Sequence, residues 1–265
     1  MKLMNIASGS SGNCTFIGTD DTSLLVDAGI SMKRIEEGLA TIDMSLRDID
    51  GIFITHEHSD HIKGLKAVSR KYEVPIYLTE GTMNQLMYNS LTRDIDTELY
   101  SVIDSCSSFD LRSINVMSHD ISHDAAEPVC YSFSDGVSKI SVATDLGTYD
   151  DELVSFLKES DMLLLEANHD IRMLETGPYP YYLKRRILGN RGHLSNETSG
   201  RLLRVLLNDH IKAIILGHLS KENNFPELAY ETVKLEIADN PFTDDVRDFN
   251  LTVAKRDEAD EMICI

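Results

Sequence analysis

The chain has 265 residues, 42% hydrophobic and 26% charged, enough to bury a large core and unlike a disordered or fibrous protein. Its net charge of −19 is the reverse of the basic balance of proteins that coat nucleic acid. No apolar run approaches the ~20 residues of a membrane span, and residues 1–5 lack the basic start of a signal peptide, which predicts a soluble cytoplasmic protein with no membrane partner. Cys14, Cys106, Cys130 and Cys264 form no C-x-x-C pair, which argues for reduced thiols and against a cysteine-held structural zinc.

Short apolar runs bounded by Gly, Asp, Ser or Thr predict strands at residues 2–7, 14–18, 23–27 and 51–55. Helices follow at 60–72, with Ile62, Leu65, Ala67 and Val68 as an apolar stripe, and at 81–90. Strands at 113–117, 129–133, 138–143, 162–166 and 212–216 then alternate with helices at 151–159, 197–208 and 226–238. No repeat and no Pro- or Gly-rich linker divides the chain, so residues 1–265 read as a single α/β domain of two sheets packed face to face with helices outside.

The most informative segment is Thr55-His56-Glu57-His58-Ser59-Asp60-His61, placed between a strand and a helix. Three imidazoles and a carboxylate within six residues each need a partner if buried, and a divalent cation satisfies them together. His56 and His58 can point the same way from extended backbone, while Asp60 and His61, one turn on, can serve a second ion.

H-x-H-x-D-H directly after a strand resembles the signature of the metallo-β-lactamase superfamily. Ser122-His123-Asp124-Ala125, Thr144-Asp145-Leu146-Gly147 and Gly217-His218-Leu219-Ser220 follow in that family's order. The resemblance implies a four-layer αββα sandwich. It assigns His56, His58 and His123 to one metal, Asp60, His61 and His218 to another, and Asp145 to both, with His119 a competitor for His123. Histidine and carboxylate without thiolate suit Zn, Mn or Fe, and no organic cofactor is implied. A metal-bridging hydroxide would attack phosphorus in line, with Asp60 and Asp145 among the catalytic groups.

Ala7-Ser8-Gly9-Ser10-Ser11-Gly12-Asn13, Glu166-Ala167-Asn168-His169-Asp170, Tyr179-Pro180 with Leu183-Lys184-Arg185-Arg186-Ile187, and Gly192-His193-Leu194-Ser195-Asn196 look like the YycJ subgroup, also called VicX or WalJ. That resemblance implies a DNA exonuclease working from 5′ ends. His193 is the expected contact to the scissile phosphate or donor to the leaving group, or else a structural histidine. His169 contacts substrate or forms a hydrogen-bonded layer behind the metals.

Ser8, Ser10, Ser11 and Asn13 suit an anion cradle as well as a tight hairpin. Residues 181–224 carry a charge of +5 against −24 in the remainder, so Lys184, Arg185, Arg186 and Arg191 are candidate phosphate contacts or a solvated face, and Tyr179, Tyr181 and Tyr182 could stack bases. Ser220 and Asn223 line the groove or form a polar loop. The same ligands would equally serve a hydrolase of small phosphodiesters or thioesters, and a regulatory protein with an incidental metal site is a third possibility.

Overall fold

The computed structural model describes residues 1–243 and 245–265. They form two compact units, the first made of residues 1–120, 125–137 and 255–265, the second of residues 121–124 and 138–254.

In the first unit, β1 (Lys2–Ala7), β2 (Cys14–Gly18) and β3 (Ser23–Val26) form an antiparallel meander of short, buried, apolar strands. From β3 the pairing turns parallel through β4 (Gly51–Phe53), β5 (Ile76–Thr79) and β6 (Tyr100–Ile103). Parallel neighbours need crossovers, and these are α1 (Met32–Ala40), α2 (Ser59–Ile62) with α3 (Leu65–Tyr72), and α4 (Glu80–Tyr88). The sheet order is β14-β1-β2-β3-β4-β5-β6, with β14 (Ile263–Cys264) closing the edge.

Alternation through β4 and the residue after it sends Ile52 and Ile54 into a core with Ile35, Leu39, Leu65 and Val68 of the helices. Phe53 points the other way, stacks on Tyr77 with centroids 4.7 Å apart, and meets Tyr131 and Phe133 edge-on at 5.4 and 5.7 Å. Those two rings belong to β9 (Val129–Ser134), which with β7 (Ser108–Leu111) and β8 (Ile114–Asp120) forms an antiparallel ladder covering that face.

The second unit carries the parallel ladder β10 (Lys139–Ala143), β11 (Met162–Glu166), β12 (Ala213–Gly217) and β13 (Leu251–Val253). β11 and β12 are buried throughout, as their continuous apolar sequences require. Its helices are α5 (Asp151–Leu157), the short α6 (Ile171–Thr176) and α7 (Tyr181–Ile187), then α8 (Asn196–Leu206) and α9 (Pro226–Ile237). Because the strands are parallel, the residues after β10, β11 and β12 all emerge at one edge, where open α/β sheets hold their ligands.

The single helix expected over 60–72 is two helices. Gly64 interrupts it, donating to the Ala28 carbonyl at 2.8 Å, and a Cβ there would stand 2.0 Å from the Ile30 oxygen. Helix α1, which sequence periodicity did not single out, starts from the Ser31 side chain accepting the Arg34 N–H. Among the described residues no helix is long and apolar enough to cross a membrane.

Candidate metal centre

Each unit gathers its own cluster of imidazoles and carboxylates. In the first unit the chain leaves β4 through Thr55, His56, Glu57 and His58, and His58 caps α2. His56 Nε2 lies 3.0 Å from His58 Nδ1, and the His56 and His61 rings are 4.1 Å apart. His61 Nε2 faces Asp60 Oδ2 at 3.6 Å.

Behind them stands Asp27, directly after β3, with φ at +61° and its carboxylate buried. Oδ2 accepts from His61 Nδ1 at 2.7 Å, and Oδ1 accepts the Thr55 N–H at 2.9 Å. This bond places the His61 proton on Nδ1 and leaves Nε2 basic, the pattern of a carboxylate supporting a metal-ligating histidine. The Ser8–Asn13 loop packs here as well. Asn13 Nδ2 is 3.1 Å from His61 Nε2, its Oδ1 accepts the Gly9 N–H at 2.9 Å, and its own N–H donates to the Asp60 carbonyl at 2.8 Å. Ser8 is buried, whereas Ser10 and Ser11 are exposed at the tip. The fit is tight enough that a Cβ on Gly29 would stand 1.6 Å from the Asp60 oxygen.

In the second unit, Asp145 follows β10 with φ at +63° and His218 follows β12 with φ at +54°. Non-glycine residues rarely adopt this conformation, and it recurs at functional sites where neighbours hold it in place. Asp145 Oδ2 is 2.9 Å from His218 Nδ1, and Oδ1 is 3.7 Å from both His123 Nε2 and His193 Nδ1. His123 Nδ1 is 3.0 Å from the Gly192 carbonyl, which turns Nε2 toward the acids. Glu166, the last residue of β11 and fully buried, meets His193 Nδ1 at 2.7 Å and accepts the Leu146 and Leu194 N–H groups at 2.7 and 3.2 Å. Burial opposes protonation of His193, but the Glu166 carboxylate, aided by Asp145, outweighs it and raises the imidazole to about 9.

A buried polar layer supports these groups. Asn168 Nδ2 donates to the His218 carbonyl at 2.9 Å, and Asn224 Nδ2 donates to the Ala167 and Asn168 carbonyls at 2.9 and 3.1 Å. His169 is buried here, and burial lowers it to about 4. Ser220 and Asn223 are buried rather than open to a groove: the Asn223 N–H and amide both reach Ser220 Oγ at 3.3 Å. Of the basic residues, Lys184 donates to the Glu175 and Gly177 carbonyls at 2.8 and 2.7 Å, Arg191 to the His123 carbonyl at 2.9 Å, and Arg186 pairs with Asp124, while Arg185 is exposed. His119 lies within β8, opposite Cys130, with Nδ1 2.8 Å from the Asp120 carbonyl.

The donor set fits divalent cations. Asp145 and His218 bring ligand atoms within 4.8 Å of each other, and the first cluster sets nitrogens of two histidines face to face. Sequence reading assigned no role to Asp27 or Glu166. Each is an acid at the end of an apolar strand, the position at which Asp145 was recognised.

Residues 22–218 match the sequence model of the β-lactamase superfamily domain. The chain belongs to the metallo-β-lactamase superfamily. It is 40% identical over 240 residues to the exodeoxyribonuclease YycJ of Bacillus anthracis, covering 89% of each chain. It is 39% identical over 237 residues to the exodeoxyribonuclease WalJ of Streptococcus pneumoniae, covering 89% of this chain and 88% of that one. Among solved structures, zinc-bound PqqB from Methylobacterium extorquens aligns over 98% of this chain and 100% of its own with a TM-score of 0.72 at 15% identity. The αββα class expected from the motifs is the class of this superfamily.

Proposed function

We propose that this metallo-β-lactamase-fold chain is a metal-dependent phosphodiesterase, a DNA exonuclease degrading from 5′ ends, with both units acting as one hydrolase in the cytoplasm. The observation that carries the reading is the 40% identity to a curated exodeoxyribonuclease across 89% of both chains. His56, His58 and His123 would hold one divalent cation, Asp60, His61 and His218 a second, and Asp145 both, with zinc, manganese or iron as the ion. Such ions would supply a nucleophile from water at neutral pH and offset charge on the non-bridging phosphoryl oxygens.

The chain's own groups do the remainder. Asp27 and Thr55 hold the first cluster in one rotamer and tautomer. Glu166 fixes His193 through Nδ1 and favours its charged form, so Nε2 carries a proton for the departing alkoxide. Ser10 and Ser11 present hydroxyls at the exposed tip of the loop that Asn13 anchors beside Asp60 and His61. Arg185 meets backbone phosphates.

The charge of −19 favours a second reading, hydrolysis of a small phosphodiester on the same residues. Purified chain with manganese or zinc is incubated with 5′-phosphorylated DNA, the matching RNA and bis(p-nitrophenyl) phosphate. Stepwise release of nucleotides from the DNA 5′ end is the expected result. Turnover of the small ester with both polymers intact would establish the second reading instead.

A further inference from the structure

Helix α7 begins with two adjacent tyrosines, Tyr181 and Tyr182, that keep 76% and 75% of their surface exposed. Its sequence, YYLKRRI, holds three basic residues and no acid, in a chain whose net charge is −19. At helical spacing Arg185 lies one turn beyond Tyr181, on the same face. Arg185 is exposed and pairs with no carboxylate among the described residues.

The far end of the helix is fastened beside the second unit's cluster. Arg186 pairs with Asp124, whose Oδ1 is 3.5 Å from His123 Nε2, and the Ile187 carbonyl accepts the His193 N–H at 3.0 Å. The tyrosines therefore stand one and a half turns away from groups proposed to act on the scissile phosphate.

We infer that α7 is a stacking platform for single-stranded polynucleotide, with bases lying on Tyr181 and Tyr182 and the adjoining phosphates facing Arg185. The inference rests on the exonuclease reading and adds that the strand is unpaired where it leaves the reacting groups. Exposed aromatic rings next to a guanidinium offer what a single strand needs, a π-face for any base and a cation for its backbone. A duplex keeps its base faces covered by neighbouring pairs and could use only the charge. From Tyr181 to Ile187 the helix rises about 9 Å, and bases stacked at about 3.4 Å put the platform roughly three nucleotides from the cut.

Fluorescence anisotropy of the metal-loaded full chain with an oligothymidine made cleavage-resistant by phosphorothioate linkages tests this. Tyr181→Ala with Tyr182→Ala should weaken binding about five-fold or more per ring. The Tyr181→Phe, Tyr182→Phe pair should restore affinity, because stacking does not use the hydroxyl. With abasic sites at the third and fourth nucleotides, wild type and the alanine pair should bind alike. Unchanged thermal unfolding of the alanine pair checks that its fold persists. If the alanine pair binds oligothymidine as wild type does, or loses as much on the abasic strand, the platform is overturned while the exonuclease reading stands. If wild type hydrolyses bis(p-nitrophenyl) phosphate but neither binds nor digests oligothymidine, both fall together.

Discussion

Each unit holds a buried carboxylate against a histidine Nδ1 at 2.7 Å, Asp27 on His61 in the first and Glu166 on His193 in the second. The bonds are alike in length and differ in what the other ring nitrogen can reach. The His61 side chain is wholly buried and its Nε2 faces the proposed ligand Asp60, so in the proposed reading Asp27 orients a ligand. The His193 side chain keeps 15% of its surface, and in the proposed reading Glu166 prepares it as a proton donor. On that reading one device serves two purposes, and the purpose follows from the free nitrogen's surroundings.

The largest expected effect lies where the second unit's groups converge. Asp145→Ala removes the carboxylate that faces His218, His123 and His193, so turnover should drop to background and bound metal should fall, read by elemental analysis of dialysed protein. Turnover and metal content both near wild type would remove Asp145 from the site. His119→Ala, in a strand of the other unit, should leave metal content as in wild type.

The paired carboxylates come next, since they separate the two purposes directly. Glu166→Gln should lower kcat by about 100-fold to 10,000-fold with metal content retained, because it disturbs proton transfer and not binding of the ions. Asp27→Asn should instead weaken metal affinity by about 10-fold to 100-fold, with most of the rate returning at saturating metal. If added metal rescued Glu166→Gln and failed to rescue Asp27→Asn, the assignments would have to be exchanged.

The two clusters were also unequally legible. The first is nearly contiguous: His56, His58, Asp60 and His61 fall within six residues, so local spacing alone announces shared chemistry. The second is assembled from the ends of parallel strands, with Asp145, Glu166 and His218 far apart in sequence, and no local pattern ties them together. Family motifs supplied Asp145 and His218. Glu166 and Asp27 escaped because a lone acid ending an apolar strand looks the same whether it faces water or a histidine. The short strands β5 and β6 were missed for a related reason, since four residues give too little periodicity to count. Ser220 and Asn223 looked like groove residues because polar loops are usually solvated, and here they bond each other inside.

The smallest effect concerns His169, which shares a unit with His193 but sits in the opposite electrostatic situation. Burial lowers His169 to about 4, the positive charge of His193 adds to this, and Glu166 only partly opposes it. The folded chain therefore keeps His169 neutral while the unfolded chain, with an ordinary histidine near 6.5, takes up a proton as pH falls. Its contribution to stability is complete above about pH 6.5, shrinks as pH drops toward 4, and changes no further below that, where both states are protonated. Denaturant unfolding of wild type and His169→Gln across this window should show the stability difference moving against wild type by at most about 3 kcal/mol on acidification. A difference that stays level with pH would mean that His169 is already charged in the folded chain. It would then belong with His193 among the groups that face the reaction, and the contrast between a silent and a proton-bearing histidine in one unit would be lost.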